Sequence, residues 1–247
     1  MTGQLADEQA NPQKALAALE ESRRELESLT YTIAHDLRAP LRTIDGFARA
    51  LSEDCGEELD QDGRRYLQHV LDAAKRMSGM LEGLLSLARI HGAEFHRVSL
   101  DLSKIARDVV EQLRAAEPAR TVEVVIPHAI ATTGDPSLLA NALEALLKNA
   151  WKFTRGRDPG RIEVGVQSAD PPIYVVHDNG VGFDMSYVGK LFGPFQRLHS
   201  EREFEGSGIG LAAAHRVIRR HGGRIWAEAA PDRGASFYFT LEAGPEA

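Results

Sequence analysis

From about Lys14 to Leu51, apolar residues return at steps of three and four: Leu19, Leu26, Leu29, Ile33, Leu37, Leu41, Ile44, Phe47 and Leu51. That spacing lays one apolar stripe along a long helix. A second stripe, with Leu67, Val70, Ala74, Met77, Leu81, Leu84 and Leu87, runs from about Asp62 to Ile90. Only the short polar stretch EDCGEELDQDG separates the two, so the helices double back as an antiparallel hairpin. A two-helix hairpin has a narrow core. Each stripe stays partly wet unless another hairpin covers it, and the pattern predicts a homodimeric four-helix bundle. The lead-in ALAALEESRRELESLTYT, rich in Ala, Leu, Glu and Arg, reads as coiled coil.

After His91 the grammar changes. Glu94 to Leu100 reads as a short strand, and Asp101 to Ala116 as a helix capped near Asp101 or Ser103. VEVVIP and AIATTG read as strands. Asp135 caps a helix that Pro136 leads and that runs to about Phe153. RIEVGVQSA and IYVVHD alternate as strands, Gly206 to His221 holds a glycine-rich turn and a helix, and GRIWAEAA and ASFYFTLE are two further strands. Strands and helices mix without a βαβ repeat. The fold class is therefore α+β: a helical hairpin, then an α/β sandwich with helices over one mixed sheet. The expected division is residues 1–24 as tail and coiled-coil linker, 25–92 as the hairpin domain and 93–247 as the sandwich.

Totals narrow the possible partners. The formal net charge is −7 over 247 residues, with no long basic run, which disfavours nucleic acid and anionic membrane. Cys55 stands alone, so no intrachain disulfide forms and a reducing, cytoplasmic setting is expected. No run of about 18 apolar residues is present to span a bilayer.

Several groups could carry chemistry. His35 is followed by Asp36, and Pro40 lies five residues on, where a missing N–H should bend the helix. At 100° per residue, His35 falls roughly opposite the Ile33 and Leu37 stripe and faces water. A neutral imidazole nitrogen is a nucleophile, and a neighbouring carboxylate can hold the ring and take its proton. A solvated histidine before a kink is the plainer alternative. In ALLKNAWKFT, Asn149, Lys152 and Phe153 reach one edge of a helix end. Asn149 offers a hard oxygen for Mg²⁺ and Lys152 a point charge for phosphate, although an ordinary helix terminus has the same makeup. In HDNGVGFD, Gly180 and Gly182 let backbone approach a flat ligand, and Asp178 could accept from an exocyclic amine; DNG is as often a plain turn. Gly206, Gly208 and Gly210 precede a helix whose free N–H groups suit phosphate oxygens. Between the glycine segments, MSYVGKLFGPFQRLHSEREFEG reads as a mobile cover anchored by Leu191, Phe192 and Phe195, or as a surface loop. Cys55, Trp151, Trp226 and the remaining histidines read as packing or surface residues. His177 reads as a strand-end packing residue that could touch the pocket.

The order of these signals resembles a two-component sensor histidine kinase over about residues 25–242. His35 to Leu41 is similar to the phosphoacceptor box, Ala145 to Thr154 to the N box, and Asp178 to Phe183 to the first glycine box. Leu191 to Phe195 is similar to the F box, and Gly206 to Leu211 to the second glycine box. The resemblance implies a dimerising hairpin joined to a Bergerat-type ATP-binding sandwich of the kind found in Hsp90, DNA gyrase and MutL. It implies that His35 takes the γ-phosphoryl group of ATP, with Asp36 as general base, and that Asn149 holds Mg²⁺. Lys152 and Arg197 would contact phosphates, Phe153 would line the adenine pocket and Asp178 would bond the adenine amine. Gly180, Gly182, Gly206, Gly208, Gly210 and Leu211 would shape the cleft. Phosphohistidine would then pass its group to an aspartate of a response regulator. A sensor domain upstream would drive α-helical lead-in motions, and the wording around HDLRAPLRTIDGF is similar to kinases linked to PAS or phytochrome-type sensors.

Two positions depart from the family pattern. Ala145 stands where an asparagine often helps at the metal. Ala39 stands where Thr or Asn often positions water for dephosphorylating the regulator, which implies weak phosphatase activity. Rival readings are a serine kinase of the anti-sigma type or an Hsp90-like machine, a scaffold with a decayed nucleotide site, and a DNA-binding dimer.

Overall fold

The computed structural model describes residues 2–92, 94–199 and 203–242, and before residue 29 only the side chains of Lys14, Ala18, Glu21, Ser22 and Glu25. The chain falls into two compact units, Met1–Arg89 and Ile90–Ala247.

The first unit is the hairpin of α1 (Thr2–Cys55) and α2 (Gln61–Gly92). Helix begins at Thr2, so the expected tail is helical; the coiled-coil reading rests on side chains such as Leu19 and Leu26, which lie outside the described residues. Helix α1 continues through Pro40, although Pro40 withholds the N–H that would reach the Asp36 carbonyl. At the joint, a Cβ on Gly56 would come within 2.3 Å of the Ser52 carbonyl oxygen, so only glycine turns the chain this tightly. Asp60 then accepts from the Gly63 N–H at 2.7 Å and starts α2.

The seam between the two helices differs from the expected stripe. Ala34, Leu41, Ala74, Leu81 and Leu85 form the buried cluster, with Leu84 packed on it. Ala34 and Leu41 are seven residues apart, as are Ala74 and Leu81, which is a heptad seam. Alanine at alternate seam positions lets the helices approach closely. Ile33, Leu37, Ile44, Phe47 and Leu51 on α1, and Val70 and Met77 on α2, remain exposed in the single chain. The apolar band is wider than one partner helix can cover.

The second unit is a two-layer α/β sandwich. A five-stranded mixed sheet has the order β2 (Val122–Val125), β4 (Gly160–Ala169), β5 (Pro172–Asp178), β7 (Ala235–Phe239), β6 (Ile225–Ala229). The β2–β4 pair is parallel and the remaining pairs are antiparallel. The expectation of one sheet needs correction: β1 (Val98–Asp101) and β3 (Ala131–Gly134) pair antiparallel as a separate two-stranded ribbon. Strand β1 also starts four residues later than expected.

Helices α3 (Leu102–Ala116), α4 (Pro136–Phe153) and α5 (Gly210–Arg220) cover one face of the sheet, with α4 between the other two. Helix α4 buries Leu139, Leu143, Leu146 and Leu147 and packs on β4 and β5, while the sheet buries Ile162, Val176, Phe237 and Phe239. Both predicted caps form. Asp101 accepts from Ser103 N–H at 2.9 Å, and Asp135 accepts from Leu138 N–H at 3.0 Å with Pro136 in the first turn. This framework fixes the end of α4 beside the end of β5, where the site lies.

Candidate functional site: a cavity at the end of α4 and an exposed histidine

In the second unit, the last turns of α4, the turn after β5 and the segments before α5 enclose a cavity of about 410 Å³. That size suits a small organic ligand. Ala145, Asn149 and Lys152 recur at helical spacing, so one face of α4 presents all three to the cavity. Ala145 sits where a Cβ on Gly210 would be 3.5 Å from its methyl group, so the small side chain makes room for the start of α5.

Asp178, at the end of β5 and 2 % exposed, lines the cavity. Burial pushes its carboxyl up to about 6, against the Gly180 N–H that donates to it at 2.8 Å. Gly180 is closely packed: a Cβ there would meet the Phe153 carbonyl oxygen at 2.6 Å and Asp178 Oδ1 at 2.7 Å. Gly182 has φ +61, and a Cβ would stand 2.0 Å from the Ala230 carbonyl oxygen. Asn179 serves the turn, accepting from Arg161 N–H at 2.8 Å and donating to the Pro159 carbonyl at 3.0 Å.

The polar end of the cavity is cationic. Burial and the nearby Arg197 push the Lys152 ammonium down to about 8, partly offset by Glu205. Its Nζ lies 4.2 Å from the centre of the Phe153 ring. Arg197 donates to the Phe204 carbonyl at 2.6 Å. Ile209, at the cap position of α5, supplies no side-chain acceptor, so first-turn N–H groups of α5 have no side-chain cap.

Asn149, Lys152, Phe153, Asp178, Gly182, Arg197, Gly206, Gly208, Gly210 and Leu211 thus converge on one cavity, whereas Gly180 is not part of its lining. The cover is anchored by Leu191, which is buried, and by Phe192, whose ring lies 5.7 Å from His215. Phe195 is not an anchor: it is 45 % exposed, with φ +62. His177 is outside the cavity lining and meets Ser236 Oγ at 2.8 Å across the sheet, as a packing residue does. Sequence reasoning missed His199, Phe204, Glu117 and Arg155, which also line the cavity. Arg155 bridges Glu117 at 3.0 Å and Glu205 at 3.4 Å. Only their charge and ring types could have marked them, because none belongs to a periodic pattern.

In the first unit, His35 and Asp36 form one exposed pair. His35 Nδ1 lies 3.2 Å from Asp36 Oδ1, and the side chains are 62 % and 72 % exposed. A hydrogen bond from Nδ1–H to the carboxylate leaves the Nε2 lone pair free.

Comparison with known proteins gives the same two parts. Residues 12–93 match the His Kinase A (phospho-acceptor) domain, and residues 134–245 match the histidine kinase-, DNA gyrase B- and HSP90-like ATPase. The chain is 31 % identical over 228 residues to cyanobacterial phytochrome B of a Nostoc species, covering 91 % of this chain and 30 % of that one. It is 33 % identical over 232 residues to the methanogenesis regulatory histidine kinase FilI of Methanothrix harundinacea, covering 93 % and 26 %. The chain therefore spans less than a third of the length of these relatives. Full-length ShkA, solved in complex with AMPPNP, superposes with a TM-score of 0.60 at 22 % identity over 89 % of this chain and 47 % of that one, and shares the fold. With a phospho-acceptor hairpin followed by an ATPase sandwich, the chain belongs to the two-component sensor histidine kinases.

Proposed function

We propose that this chain phosphorylates itself on His35 with ATP and passes the phosphoryl group to an aspartate of a response regulator. The observation that carries the reading is the convergence of Asp178, Asn149, Lys152 and Arg197 on one cavity, in a chain that also presents a free imidazole nitrogen beside a carboxylate. Asp178 would accept from the adenine amine and Phe153 would pack on the base. Lys152, Arg197 and the N–H groups at the start of α5 would hold phosphate oxygens. Phosphoryl transfer needs positioning and charge neutralisation more than covalent chemistry, and these groups supply both.

At the acceptor, Nε2 attacks the γ-phosphorus, the bond to the β,γ-bridging oxygen breaks and ADP leaves. The imidazole then carries a phosphoryl group on Nε2 and a proton on Nδ1, which Asp36 takes up as general base. For Mg²⁺, Asn149 offers a carboxamide oxygen in the cavity, a hard donor of the kind that ion takes, and would hold it together with phosphate and water oxygens. Bound there, Mg²⁺ would neutralise phosphate charge. The exposed apolar band of the hairpin supports a homodimer in which a second copy covers it. No helix among the described residues is long and apolar enough to cross a membrane. The single cysteine, Cys55, favours a reducing, cytoplasmic setting for the reaction.

Incubation with γ-labelled ATP and Mg²⁺, beside His35→Ala, tests the reading. Label that is lost in acid, survives base and is absent from the variant is the expected result. Label persisting in His35→Ala would remove His35 as the nucleophile.

A further inference from the structure

His199 has no part in the function above, yet it touches three separate stretches of the cavity wall. Its Nε2 lies 2.9 Å from the Gly182 carbonyl oxygen. Its ring centre is 5.1 Å from that of Phe153 and 5.4 Å from that of Phe204, and Phe204 meets Phe153 edge-on at 4.9 Å. A carbonyl oxygen only accepts, so Nε2 carries the proton in this bond. The acceptor is held in place: Gly182 sits at positive φ with Ala230 closed against it. Two residues before His199, Arg197 reaches the Phe204 carbonyl and presses on Lys152 electrostatically. Phe204 is shared by the two, its carbonyl accepting from Arg197 and its ring packing on His199.

We propose that His199 is a positioning residue for the adenine nucleotide, clamping the Leu191 to His199 segment onto the turn that follows Asp178. The inference rests on the nucleotide-binding reading above. The clamp has two parts, an N–H···O bond and a ring in an aromatic cluster, and they are separable by substitution. His199→Gln keeps a donor and loses the ring. His199→Phe keeps a ring and loses the donor.

Binding of ADP and of a non-hydrolysable ATP analogue with Mg²⁺, measured by calorimetry on the intact chain, tests the proposal. His199→Ala is expected to weaken both about tenfold, with His199→Gln recovering part of the loss and His199→Phe another part. In labelling assays, KM for ATP should rise by more than kcat falls. Amide hydrogen exchange of the Leu191 to His199 segment in the nucleotide-free protein should quicken in His199→Ala while the melting temperature stays within about 2 °C of the parent. A melting temperature that falls in step with affinity would reduce His199 to a packing residue. A dissociation constant within twofold of the parent would overturn the proposal. Should the parent itself bind neither nucleotide, the nucleotide reading fails, and unchanged exchange in His199→Ala then overturns the clamp on its own.

Discussion

Asp178 concentrates the tension between stability and use at a single residue. Its carboxyl is buried and stands at about 6 where an exposed aspartate stands near 3.8. Because the folded value lies above the unfolded one, the native state holds the proton more tightly between those values. The group therefore costs stability progressively as pH rises from about 4 through 6, and the full cost is in place at neutral pH. A shift of that size corresponds to about 1–3 kcal/mol. Asp178→Asn keeps an oxygen for the Gly180 N–H and removes the buried charge. The nucleotide-free variant is expected to melt several degrees higher while binding ATP at least tenfold more weakly; a variant that melts lower contradicts this account. In the parent protein, affinity for ATP should rise with pH through about 6 as Asp178 ionises, and fall above about 8 as Lys152 loses its proton. A flat calorimetric profile between pH 5 and 9 would separate these groups from binding.

Among the elements, α1 carries the position on which the proposed balance between donating and removing phosphate would turn. Ala39, one turn beyond His35, is exposed, and its carbonyl accepts from the Thr43 hydroxyl at 3.2 Å. A methyl group there cannot hold a water for attack on an aspartyl phosphate. Loss of label from a phosphorylated receiver domain should be slow with the parent chain and at least tenfold faster with Ala39→Thr. Rapid loss with the parent would show that another group orients the water. Helix α4 works differently, since its caps fix its start while its last turns carry Asn149, Lys152 and Phe153 together. Shifting one of these residues along the helix would rotate it by 100° and out of the cavity.

For the whole molecule, the unmet requirement is a cover for the hairpin. Phe47 is 74 % exposed, and Ile44, Leu51 and Met77 are each near half exposed. Burying a phenylalanine stabilises by roughly 1.5–3 kcal/mol, and a twofold axis would count each such residue twice. Light scattering should find a dimer, and Phe47→Glu should weaken it by at least 100-fold and lower the helical signal on dilution. A variant of unchanged mass would exclude this face as the interface.

By itself the sequence determined a great deal: two helices with a polar joint, the Asp135 cap and a cap at Asp101 or Ser103, the succession of strands along the chain, and the residue types that line the cavity. These features are local, since they depend on period, capping or neighbours a few residues away. Tertiary structure alone decided which part of the α1 band faces α2. The stripe through Ile33, Leu37 and Leu41 does not say which of its edges meets α2, and packing put Ala34 and Leu41 in the seam while Ile33 and Leu37 stayed exposed. It also withdrew β1 and β3 from the main sheet and left Phe195 in solvent. The same holds for His221, which accepts from the Asp135 N–H at 2.9 Å and meets the Val217 carbonyl at 2.8 Å inside the core. Asn179 and His199 likewise found partners on other elements. An isolated polar residue has no period to betray its partner, because that partner is chosen by where distant backbone comes to rest after the apolar layers have packed.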